Sequence, residues 1–67
     1  MSDVEAVKAE LKKLSAKAMQ AKMDLHDLSE ELPQGVENVI ATAERVRDAY
    51  AALDAKRAEL KALETAA

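Results

Sequence analysis

The stretch Leu32-Pro33-Gln34-Gly35 divides the chain in two, and it holds the only Pro and the only Gly among 67 residues. Pro33 has no N–H to give a helix and pushes Leu32 out of α conformation. Gly35 supplies the backbone freedom that a turn needs. Before this break, apolar residues recur at Val4, Val7, Leu11, Leu14, Ala18, Ala21, Leu25, Leu28 and Leu32, in alternating steps of three and four. That is a heptad stripe, the mark of a helix with one apolar face. After the break a second stripe runs through Val36, Val39, Ile40, Ala43, Val46, Tyr50, Leu53, Leu60 and Leu63, with Arg57 standing where an apolar residue is due. Its stem is expected along the apolar seam, with the guanidinium in water.

The spacing predicts helices over 3–32 and 36–65, in a single domain covering 1–67. Ser2 followed by Glu5 has the spacing of a capping box at the first helix start. So short a connection sets the helices side by side and antiparallel. Folding at the turn brings Leu28 to Val39 or Ile40, Leu25 to Ala43, Leu14 to Leu53 and Val7 to Leu60. Tyr50 is expected in the core, opposite the small Ala18 and Ala21, by complementarity of volume. Two helices touching along one stripe leave half of each stripe wet, so the expectation is an all-α hairpin that dimerises into a four-helix bundle.

Composition excludes several classes of function. There is no Cys, Trp or Phe, and 15 residues are Ala. The chain therefore has neither disulfides nor a thiolate metal site. No apolar run approaches the roughly 20 residues of a membrane span. Met1-Ser2-Asp3 is acidic, without the apolar core of a signal peptide, so a soluble bacterial or organellar compartment is expected. One His, three Ser and no Gly-rich loop leave no triad or phosphate cradle, and no enzyme is expected. Lys8, Lys12, Lys13, Lys17 and Lys22 form a basic row, but a sequence pI near 5.0 and the lack of aromatic platforms speak against nucleic acid as a partner. An RNA-binding helical dimer is the lowest-ranked reading.

The residues that folding does not need lie at the end of the first helix. Met19, Met23, His26 and Glu30 form a line on its outer face. Asp24, Asp27, Glu30 and Glu31 crowd its last two turns, each like-charge neighbour pair costing about 0.2–0.5 kcal/mol. Carboxylates at this negative end of the helix dipole cost about 0.3–1 kcal/mol more each. Local stability would arrange acid and base the other way round, and such inversions mark candidate sites. Two readings stay open. One is a docking face for another protein. The other is a weak site for a divalent transition metal on His26 and Glu30, one turn apart.

The segment "QAKMDLHDLSEELP", residues 20–33, resembles the signature of the Rop-like putative nitrogen-fixation family, small helical hairpins encoded in nitrogen-fixation gene clusters. The resemblance spans almost the whole chain. It implies an antiparallel two-helix hairpin that dimerises, and an accessory role near nitrogenase or its metal-cluster assembly, in the cytoplasm; with the composition, that makes a non-enzymatic adaptor docking on a nitrogen-fixation protein the leading expectation. It singles out Gln20, Lys22, Met23, Asp24, His26 and Asp27, to which the reading of the residues adds Glu30.

Overall fold

In the computed structural model, which describes residues 3–66, helix α1 spans Asp3–Glu31 and helix α2 spans Val39–Ala66. A single 3-10 turn, Val36–Asn38, leads into α2. There is no strand among the described residues. The hairpin is a rod of 51 × 15 × 12 Å. Asp3 and Glu5 lie in the first turn of α1, where the positive end of the dipole favours them. The expected capping box involves Ser2, which lies outside the described residues.

The turn is closed by backbone hydrogen bonds. Gln34 N–H donates to Glu31 C=O at 3.0 Å, Val36 N–H to Pro33 C=O at 3.2 Å and Asn38 N–H to Gly35 C=O at 2.9 Å. The Leu32–Pro33 peptide is cis. Gly35 takes a left-handed conformation, φ 80° and ψ 12°, which an L side chain rarely adopts. Leu32 falls just beyond α1 and is 42% exposed, so the apolar stripe ends at Leu28.

On α1 the seam runs as the spacing predicts. Val7 and Ala18 are buried, and Val4, Leu11, Leu14, Ala21, Leu25 and Leu28 are half-buried. On α2 the seam differs. It consists of Val39, Thr42, Val46, Ala49, Leu53, Lys56, Leu60 and Leu63, all buried or half-buried. Val36 and Ile40 are 59% and 71% exposed, and Ala43 is exposed too. Tyr50 is half-buried on the flank rather than in the core. Arg57 points outward and pairs with Asp54 at 3.5 Å. Lys56, its side chain 28% exposed, takes the seam position and reaches Glu59 at 3.0 Å.

The cause is a rotation of α2 about its axis. The line Val39, Val46, Leu53, Leu60 belongs to two possible stripes. One adds Val36, Ala43, Tyr50 and Arg57; the other adds Thr42, Ala49, Lys56 and Leu63. The second offers small side chains at Thr42 and Ala49, and a Lys whose stem covers apolar surface while its ammonium stays wet. Thr42 is 4% exposed, and its hydroxyl accepts from the Arg45 guanidinium at 3.1 Å. The more apolar stripe is left facing solvent.

Candidate functional site

The helical repeat puts Lys12, Ala16, Met19, Met23, His26 and Glu30 in one straight ridge along α1. Met19 and Met23 are each 54% exposed. His26 is the centre of the charged part. Its Nδ1 lies 3.6 Å from the Asp27 carboxylate and its Nε2 lies 3.1 Å from Glu30 Oε1. When protonated, the imidazole separates two carboxylates that would otherwise repel. These three side chains are about two-thirds exposed, so the pairing contributes little to stability. The Ser29 hydroxyl donates to His26 C=O at 2.7 Å, within the helix.

The site residues expected from sequence fall into two groups. Met23, His26 and Glu30 share the ridge, with Lys22 exposed beside it. Gln20 and Asp24 belong to the other flank, where Gln20 Nε2 donates to Asp24 Oδ1 at 2.9 Å. Asp24 is half-buried. Asp27 is an edge residue, exposed, with its carboxylate 3.6 Å from His26 Nδ1.

Each flank opens into a groove between the helices. On one side Gln20, Asp24 and Lys17 meet Arg45, Asp48 and Ala49 around a groove of about 350 Å³. On the other, Lys8, Lys12, Met19, Leu53, Arg57 and Leu60 line one of about 650 Å³. The α2 residues of both grooves are not among the site residues expected from sequence. The signal that finds them is the register: once Ala21 stands beside Ala49, Arg45 and Asp48 must join Asp24.

Chemically the grooves suit recognition. The larger sets Lys8, Lys12 and Arg57 around apolar side chains, and the smaller sets Lys17 and Arg45 beside Asp24 and Asp48. Arg47 is exposed on α2. Its Nε donates to Asp48 Oδ1 at 3.0 Å, and this bond, with the charge of Asp48, raises the guanidinium above its ordinary range. For metal, His26 and Glu30 supply two donors on one side. Among the described residues no group of three or more His, Asp or Glu gathers to hold an ion. Nor is any helix long and apolar enough to cross a membrane.

Comparison with known proteins agrees with this architecture. A structure solved by NMR as a Northeast Structural Genomics Consortium target superimposes with a TM-score of 0.87 at 45% identity, covering 97% of this chain and 92% of that one. A UPF0437 protein of Azorhizobium caulinodans is 48% identical over all of this chain and 97% of its own length. UPF0437 protein y4xE of Sinorhizobium fredii is 45% identical, over 96% of each. A relative from Frankia alni, 49% identical over 73% of this chain and 60% of its own length, is named for its place in the nifX-nifW intergenic region. The family model described as Rop-like matches residues 2–65. With that match over nearly the full length, the chain belongs to the Rop-like family.

Proposed function

We propose that the protein is a non-enzymatic, cytoplasmic adaptor that docks on a nitrogen-fixation protein through the outer face of α1 near the turn. The observation that carries this reading is the acidic and apolar cluster at the end of α1, exposed except for the half-buried Asp24. Gln20, Lys22, Met23, Asp24, His26, Asp27 and Glu30 crowd the last three turns, where the helix dipole disfavours carboxylates. Met is an adaptable apolar contact, and carboxylates around it select a partner with a basic rim. The gene position of the Frankia alni relative directs attention to the products of nifX and nifW.

Calorimetric titration against those two purified products, in metal-free buffer, tests the reading. An Asp24→Asn, Asp27→Asn double variant is expected to weaken binding at least about tenfold, a loss of about 1.4 kcal/mol. Equal affinity of variant and wild type refutes this docking face.

A further inference from the structure

We infer that the larger groove is a second docking site, which takes an acidic amphipathic helix from another protein. This goes beyond the docking reading near the turn and shares no residue with it.

The first argument is shape. The groove follows α1 through Lys8, Leu11, Lys12, Ser15, Ala16 and Met19, about three helical turns or about 16 Å. Leu53 and Leu60 supply its floor from α2, Leu53 buried and Leu60 half-buried like Leu11. Two helices side by side form a single layer, so the groove between them has a floor and two walls and no roof. Small ligands are held in sites that bury roughly 70–90% of their surface, which an open trough does not do. An amphipathic helix needs only one face covered, because its other face is polar. Three turns accept apolar anchors at i, i+3 or i+4, and i+7, the spacing by which helices enter grooves.

The second argument is charge. Lys8, Lys12 and Arg57 rim the groove, and among the described residues no carboxylate lines it. Residues 8–19 carry four Lys and one Glu, in a chain whose net charge is −3. Arg57 is the cation that interrupts the apolar stripe expected of α2, and on the rim it has a use. Its Nη1 lies 3.5 Å from Asp54, with both side chains more than half exposed. So exposed a pair contributes little, and the guanidinium keeps further donors for a second carboxylate. An apolar strip edged by cations is complementary to a helix whose apolar face is flanked by Asp and Glu. Nucleic acid would meet the cations and leave Leu11, Leu53 and Leu60 without an apolar partner.

The acidic cluster near the turn and this basic groove occupy opposite halves of α1. The inversion of charge along the helix, unfavourable within one chain, separates two sites that select partners of opposite charge. A bridging adaptor needs two such faces.

Fluorescence anisotropy of two labelled synthetic peptides, titrated with the full chain, tests the site. Each peptide is about 18 residues long, above the length at which isolated helices are marginal, with Leu along one face. Glu flanks that face in one peptide and Gln in the other. At low salt the Glu peptide is expected to bind at least about tenfold tighter than the Gln peptide, and to weaken as salt rises. The Lys8→Glu, Lys12→Glu double variant is expected to lose that preference. Ala16→Gln, which fills the wall without adding charge, is expected to weaken the Glu peptide at least about fivefold. The three positions are exposed and the new residues favour helix, which far-UV circular dichroism checks. A Glu peptide that does not bind, equal affinity for the two peptides, a double variant that keeps the preference, or an Ala16→Gln variant equal to wild type each overturns the proposal. Val36, Ile40 and Ala43 lie outside the groove, so the peptide is expected to stay bound when the chain self-associates. Sedimentation equilibrium of the mixture reads this: a Glu peptide released on self-association puts a second copy in the groove and also overturns the proposal. None of these outcomes bears on binding to the nifX or nifW products, which the Asp24, Asp27 variant reads separately.

Discussion

Gly35 holds the turn through backbone geometry alone. At φ 80°, a Cβ would stand 2.9 Å from Leu28 Cδ1, a flexible methyl that yields more easily than the dihedral does. Gly35→Ala is expected to lower the unfolding free energy in urea by about 1–2 kcal/mol, the cost of a left-handed L residue. A melt unchanged from wild type contradicts the assignment. Thr42 makes the opposite case. Its hydroxyl is buried in the seam and accepts from the guanidinium of exposed Arg45. In a Thr42→Val variant Arg45 turns to water, and a methyl replaces a polar group among apolar neighbours. The expected outcome is a stability unchanged or raised by up to about 1 kcal/mol, read in the same urea melt. A loss greater than that gives the Thr42–Arg45 contact a structural role denied to it here.

At the scale of the helix, α1 and α2 contribute unequally. The stripe of α1 has one apolar line on each side of its seam axis and admits one orientation. That of α2 has a third line, and apolarity alone chooses wrongly between the two flanks. The burial of α1, the position of the turn and the antiparallel pairing were therefore legible in the sequence. The rotation of α2 was not, because small residues at Thr42 and Ala49 and the stem of Lys56 outweigh the greater apolarity of Ile40, Ala43 and Tyr50. The candidate site was legible as a charge inversion on α1, since that needs only helical spacing. Its grooves were not, since they need the register of both helices. Two substitutions on α2 separate the flanks. Leu53→Ala, at a side chain 2% exposed, is expected to cost about 2–5 kcal/mol in thermal or urea unfolding. Ile40→Ala, at 71% exposure, is expected to cost a dilute monomer less than about 0.5 kcal/mol. Equal costs for the two contradict the rotation of α2.

At the scale of the molecule, the hairpin has a thin core. Among the described residues only Val7, Ala18, Thr42 and Leu53 are buried, and none of the larger side chains is fully enclosed. A core this thin gives a marginal fold, and domains of this size draw on a further source of stability such as association. If a second copy supplies it, as the sequence leads one to expect, the melting temperature rises with protein concentration, since a ligand that binds only the folded state shifts the equilibrium by mass action. The most direct test is the mass of the wild-type chain in sedimentation equilibrium at micromolar concentration. The account predicts a species of twice 7.3 kDa that dissociates on dilution. A single 7.3 kDa species at every concentration contradicts it.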